Sequence, residues 1–213
     1  MRRMPRILAG ITLAATCLAQ PAAALDFNDI AHEGQLRFLA VHPSPGSYHY
    51  ESRVRITDES LVSGVVDLAT CHRQLDPIRK IVIMFNPRRL QRLEITSMEG
   101  IGNVDIQGHR VEMTDVRKGA AICIQLQSRA LDRLEDGTLR LQAGPLMRRY
   151  LDGYLPMQAS LAFEWPADKL RLAQVEPAPQ PGVILTETLS GARLDMIFAG
   201  RLSARVDLVA REK

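Results

Sequence analysis

From Met157 to Trp165 apolar and other residues alternate without a break: Met157, Ala159, Leu161, Phe163 and Trp165 fall on one side of an extended chain, and Gln158, Ser160, Ala162 and Glu164 on the other. A period of two belongs to a strand with one buried face and cannot be satisfied by a helix, whose apolar residues recur every three or four positions. The same alternation runs through Tyr48, Tyr50, Val54 and Ile56 against His49, Glu51, Arg53 and Arg55. Both segments predict strands with one buried face, and Tyr48 to Ile56 is expected to pair with the strand that follows it as an antiparallel hairpin.

The remaining apolar segments are short and bounded by turn residues. Leu36 to Val41 reads as a first strand. Asp58-Glu59-Ser60 reads as a turn, with Leu61 to Cys71 returning as a strand that carries Gly64 as a bulge or close approach. Ile81 to Phe85 is continuously apolar, as in a strand buried on both faces, and Asn86-Pro87 ends it. Leu90, Leu93 and Ile95 supply another strand, Val104 to Met113 a short hairpin through Gln107-Gly108, and Ala121 to Leu126 a further strand. Leucines at 131 and 134 among charges predict one helical turn within Arg129 to Asp136. Leu139-Leu141, Leu170 to Val175, Val183 to Leu185, Leu194 to Phe198 and Leu202 to Val209 complete the strands, the last two as a hairpin around Gly200. About a dozen short strands with at most one or two helical turns predict an all-β fold, an antiparallel β-sandwich of immunoglobulin-like type. Residues 25–213 read as one packed body. Division into two packed sandwich units, 25–135 and 136–213, is the alternative.

Residues 1–24 have the layout of a secretory signal peptide: Arg2, Arg3 and Arg6, an apolar run from Ile7 to Leu18, then Pro21 and three alanines, with cleavage expected after Ala24. Thr16 before Cys17 does not suit a lipidation signal. The expected destination is the periplasm or the exterior. Removal of residues 1–24 takes three arginines and no acids, so 27 basic and 24 acidic residues become 24 of each. The basic surplus on which nucleic-acid binding usually depends is then gone, and no nucleic-acid partner is expected. No later apolar run is long enough for a transmembrane segment. The two cysteines that remain, Cys71 and Cys123, are expected to form one disulfide in an oxidising compartment, since a redox pair or thiolate metal site usually shows a closer Cys-x-x-Cys spacing.

Signatures of chemistry are sparse. His32, His42, His49, His72 and His109 show no pair at the spacing of a metal site, so no metal or other cofactor is expected. No serine lies in a Gly-x-Ser-x-Gly elbow, no glycine-rich phosphate loop is present, and nothing in the sequence brings Asp67, Asp152 or Asp195 together. Pro87 to Arg92 is a local basic knot that reads as a solvated connection.

The least generic stretch is Gly144 to Met157, in which Arg148, Arg149 and Asp152 stand among Tyr150 and Tyr154. If Pro145 opens a helical turn, Asp152 lies within ion-pair reach of both arginines and the tyrosines form one wall. An arginine fixed beside aromatic rings can anchor a carboxylate, a phosphate or an acidic side chain of a partner. The structural reading is an internal clamp in which Asp152 satisfies an arginine. Two functions follow: a non-enzymatic binding or accessory module for a protein or cell-envelope partner, or a binder of, or enzyme for, a small anionic ligand at Arg148, Arg149, Tyr150, Asp152 and Tyr154.

Overall fold

A computed structural model describes residues 34–41, 46 and 48–211. The expected signal peptide, His32 and His42 lie outside the described residues. In chain order the elements are β1 (Arg37–Phe38), β2 (His49–Arg55), α1 (Asp58–Ser63), β3 (Val65–Leu75), β4 (Lys80–Met84), β5 (Leu90–Gln107), β6 (Arg110–Arg129), β7 (Leu131–Arg133) and β8 (Leu139–Leu146). They continue with β9 (Arg149–Tyr150), β10 (Gly153–Tyr154), β11 (Met157–Glu164), β12 (Leu170–Glu176), β13 (Val183–Thr188), β14 (Gly191–Ala199) and β15 (Leu202–Ala210).

These strands form an all-β sandwich. The larger sheet has nine strands and runs β1-β14-β11-β2-β3-β6-β4, with β13 beside β14 and β5 beside β6; the smaller runs β12-β15-β8-β7. Pairing is antiparallel except between β11 and β2, which lie parallel with Gln158 opposite His49. The alternation in the sequence sets which face is buried. Ala159, Leu161 and Phe163 of β11 and Leu194, Met196 and Phe198 of β14 point from the large sheet towards Leu141, Leu202, Val206 and Leu208 of the small one. Burial of each large apolar side chain contributes roughly 1.5–3 kcal/mol. A second apolar cluster, built on Val111, Met113, Ile122 and Ile124 of β6, lies along the ribbon made by β5, β6 and β4. Tyr48 and Leu68 pack against both clusters, which places β2 and β3 at the seam between them.

Several local expectations are corrected. Asp58–Ser63 is a helix, not a turn leading into a strand: the Thr57 side chain accepts from the Ser60 amide, the Ser60 side chain accepts from the Thr57 amide, and Gly64 at φ 73° closes the C-terminus. Leu131–Arg133 is a strand paired with β8, not a helical turn, because Leu131 lies opposite Leu141 in the core. β4 is only half-buried, since it borders the open seam and pairs with β6 alone. Leu90–Gln107 and Arg110–Arg129 form one long hairpin, in which register shifts at three places interrupt the apolar pattern and make it read as several short strands. β14 and β15 do not pair with one another. The chain leaves the large sheet at Ala199 and enters the small one at Leu202, and Gly200, at φ 99°, turns so close to the Gln35 carbonyl that an added Cβ would sit 2.1 Å from its oxygen.

Cys71 and Cys123 are directly opposite on β3 and β6, with Cα atoms 4.1 Å apart, and are joined by a disulfide. Among the described residues no helix is long and apolar enough to cross a membrane.

Candidate functional site

Successive residues of β2 and β3 face opposite sides of the large sheet, so each strand contributes to two clusters. On the outer side His49, Glu51, Arg53 and Arg55 meet polar neighbours. The His49 Nε2 lies 3.1 Å from the Ser160 hydroxyl, which donates to Asp195 Oδ1 at 2.5 Å, and the Arg193 Nε donates to both Asp195 oxygens at 3.0 and 2.8 Å. Burial works upward on the Asp195 carboxyl, but the hydrogen bonds from Arg193 and Ser160 outweigh it and hold the group below its ordinary range. The sheet thus joins a serine, a histidine and a carboxylate that no spacing in the sequence connects. Their order is wrong for a nucleophile: the histidine of a catalytic triad stands between serine and carboxylate, whereas here the serine stands in the middle and donates its hydrogen bond to Asp195. Ser160 also sits in mid-strand, paired on one side with β2 and on the other with β14. The cluster ties three strands together.

On the inner side Tyr48, just before β2, and Tyr50, Ser52 and Val54 of β2 line a cavity of about 680 Å³ together with Val66, Leu68, Thr70 and His72 of β3. Further lining comes from β4, from residues 141–151 and from Leu155 and Met157, while Asp152 and Tyr154 of the 144–157 stretch do not line the cavity. The conformation of that stretch is a small antiparallel hairpin of β9 and β10, not a helical turn, with Arg149 opposite Tyr154 and Tyr150 opposite Gly153. The Leu155 amide donates to the Arg148 carbonyl and closes its base.

The hairpin changes the partners expected for the arginines. Arg148 is held by the carboxylate of Asp76, in the connection between β3 and β4, and its Nη1 donates to the Pro156 carbonyl at 3.0 Å. Its guanidinium stands 5.6 Å from the centre of the Tyr48 ring. Asp152 makes no ion pair among the described residues, because the hairpin turn carries it away from both arginines. Arg149 donates from Nε to the Leu151 carbonyl at 3.1 Å and lies 6.0 Å from the centre of the Tyr154 ring. Tyr150 and Leu151 are exposed at the cavity mouth.

The wall residues that sequence reasoning passed over are Tyr48, Tyr50 and Asp76, and His72, weighed there only as a metal candidate, joins them. Tyr50 lies directly opposite His72, their rings 5.1 Å apart and edge-on. The Tyr48 hydroxyl and His72 Nδ1 share a hydrogen bond of 2.6 Å. His72 Nε2 is sealed from solvent and has no hydrogen-bond partner among the described residues. Burial lowers the His72 pKa to about 4. It also pushes the Tyr48 phenol up, with the neighbouring Tyr50 adding to the shift and Arg148 opposing it. Histidine and phenol are both neutral near pH 7. The alternation of β2 marks Tyr48 and Tyr50 as inward-facing, but pairing with His72 depends on a register that the unrecognised helix α1 sets.

Among the described residues no three His, Cys, Asp or Glu side chains converge as a metal site. No family model matches the chain, and no curated protein matches its sequence. Solved structures similar to it include the M1 zinc metallopeptidase of Deinococcus radiodurans, at 13% identity and TM-score 0.39 over 83% of this chain and 42% of that one. A mutant of the same enzyme bound to a Tyr-Ser-Ala substrate aligns at 12% identity and TM-score 0.39, over 83% of this chain and 43% of the enzyme. Aminopeptidase A of Legionella pneumophila in complex with aspartic acid aligns at 11% identity and TM-score 0.39, over 81% of this chain and 22% of that one. The chain spans less than half the length of these enzymes. A likeness of this strength assigns no activity.

Proposed function

We propose that this chain is an exported, non-enzymatic binding module whose site is the cavity between the inner face of β2 and β3 and the 144–157 segment. The observation that carries the reading is the cavity itself: about 680 Å³, lined mainly by apolar side chains, with Tyr48, His72, Asp76 and Arg148 linked to one another in its wall. That volume and composition match small-molecule sites, which span roughly 300–1,000 Å³. The cavity opens to solvent beside Tyr150 and Leu151, so water or a ligand fills it.

Binding is favoured over catalysis by the protonation of the wall. General acid–base catalysis works best with a pKa near the working pH. His72 and Tyr48 are displaced from neutrality in opposite directions, and each stays uncharged. Of the two functions raised by the sequence, the small-ligand reading gains most from this geometry, and a protein or envelope partner becomes the second reading. We also keep residues 25–213 as one body, since one apolar cluster joins Val54, Val66 and Leu131 to Leu141, Phe163 and Leu208, on both sides of the alternative boundary.

The test is a thermal-shift screen of the oxidised protein against metals, nucleotides, organic acids, glycans and lipids. It is repeated on Ala143→Trp, which fills the cavity, and on the Arg148→Ala, Arg149→Ala pair. A ligand that binds only the native state raises Tm with concentration. The expected result is a hit lost in Ala143→Trp while that variant still melts cooperatively. A screen with no such hit sinks the ligand reading in favour of a protein partner. Export is checked separately by the N-terminus of the mature product, expected at Leu25.

A further inference from the structure

Resting on that reading, we propose that the ligand is a single-chain amphiphilic anion, with its apolar chain along the seam between the two clusters and its anionic head at the mouth on Arg149. Three independent features of the cavity converge on this class of molecule.

The walls come first. Leu68, Ile81, Ile83, Leu126 and Met157 line the space, drawn from both apolar clusters, so the cavity follows the seam that separates them. A small polar anion would leave that surface wet. An alkyl chain would remove it from water.

The charges come second. Four basic side chains line the cavity against one carboxylate, Asp76. Three of the four already have acidic partners: Lys80 meets Glu112 at 2.6 Å, Arg89 meets Asp132 at 2.9 Å, and Arg148 meets Asp76. Arg149 has no carboxylate within ion-pair distance among the described residues. Its Nε is fixed on the Leu151 carbonyl, while its terminal nitrogens have no hydrogen-bond partner there. A guanidinium held by one nitrogen and open at the other two suits a carboxylate or a phosphate. A neutral lipid would leave it unused.

The mouth comes third. Met84, Tyr150 and Leu151 all line the opening and are 63%, 50% and 78% exposed. Leu151 also adopts φ 50°, a left-handed conformation that a leucine occupies only at a cost and glycine occupies freely. A bulky apolar residue kept in that conformation in water implies a use for its side chain. In the proposed complex Leu151 covers the part of the chain nearest the head.

The experiment titrates the purified protein by calorimetry with dodecanoate, dodecyl phosphate, 1-dodecanol, shorter carboxylates down to butyrate, and no compound above its aggregation concentration. Dodecanoate, dodecyl phosphate or both should bind at least ten-fold more tightly than dodecanol, and the stronger of the two identifies the head group. Affinity should fall about four-fold for each methylene removed, as expected for a buried chain. Arg149→Gln should erase the preference for the acid over the alcohol and keep the chain-length dependence. Leu151→Gly should raise Tm while weakening dodecanoate binding, opposite signs that a purely structural residue would not give. If butyrate binds as tightly as dodecanoate, the amphiphile is wrong and the cavity reading stands. If Arg149→Gln leaves the acid preference intact, the head-group assignment falls. If no compound here or in the broader screen binds, both readings fall together.

Discussion

The two faces of the β2–β3 pair differ in what their polar groups have left to do. On the outer face the Ser160 hydroxyl, both Asp195 oxygens and His49 Nε2 are all engaged with one another or with Arg193. On the inner face of the same sheet, His72 of β3 keeps an unpartnered nitrogen beside a large cavity. A buried polar atom without a partner costs about 1–3 kcal/mol. A wall made only for packing would be more stable with an apolar residue at position 72. The Ser-His-Asp combination has its hydrogen bonds satisfied, whereas the inner face keeps unfilled space and an unpartnered nitrogen, which is why the proposed site lies there.

The contrast can be tested in order of effect. The largest change should come from the outer face, where replacing Cys71 and Cys123 by alanine opens a loop of 52 residues. The chain-entropy account gives a loss of about 4 kcal/mol, read from denaturant midpoints, with any inner-face ligand affinity unchanged under native conditions. A loss below about 1 kcal/mol would show that the sheet register alone holds these strands.

Next comes the pH dependence of the inner face. The folded pKa of His72 is about 4, below the ~6.5 of an unfolded histidine. Between those values the unfolded chain takes up a proton that the native protein refuses, so stability is intact above about pH 6.5 and is lost as pH falls towards 4. The loss is on the order of 3 kcal/mol. His72→Phe should flatten that part of the profile, and an unchanged slope would mean that other groups carry it.

Ser160→Ala removes the hinge of the outer cluster and should cost about 1–2 kcal/mol, leaving His49 and Asp195 each short of one partner, with no effect on ligand binding. Binding lost in Ser160→Ala, with the melting point unchanged, would move the site to the outer face. The smallest effect is expected from Glu164→Gln. Its contacts to Arg53 and Arg55, at 3.3 and 3.7 Å, lie between well-exposed side chains, and such pairs contribute at most about 1 kcal/mol.

How far the sequence could be read differs between fold and site. The alternations in Tyr48–Ile56 and Met157–Trp165 correctly assign Val54, Leu161 and Phe163 to the core, because the side-chain period of a strand is independent of its partner. Thr57 to Gly64 was misread because the serine at position 60 completes its capping box in place of the usual glutamate or glutamine. The long β5–β6 hairpin was read as several shorter strands because its bulges shift the apolar phase. Within the site, Gly144 to Met157 stands out by composition alone, yet the carboxylate that holds Arg148 is 72 positions away at Asp76. Proximity in the chain favoured Asp152, and the hairpin placed it elsewhere.

The sequence by itself determined the class of fold, the inward and outward faces of its main strands, and the pairing of the only two cysteines downstream of residue 24, all of which depend on local period or on count. Tertiary structure alone decided that Tyr50 faces His72, that Ser160 links His49 to Asp195, that Asp76 rather than Asp152 holds Arg148, and that two apolar clusters part at Leu68 around a cavity. Those outcomes depend on register and on the packing of segments remote in sequence, and a one-residue change of register turns every side chain of a strand to the other face.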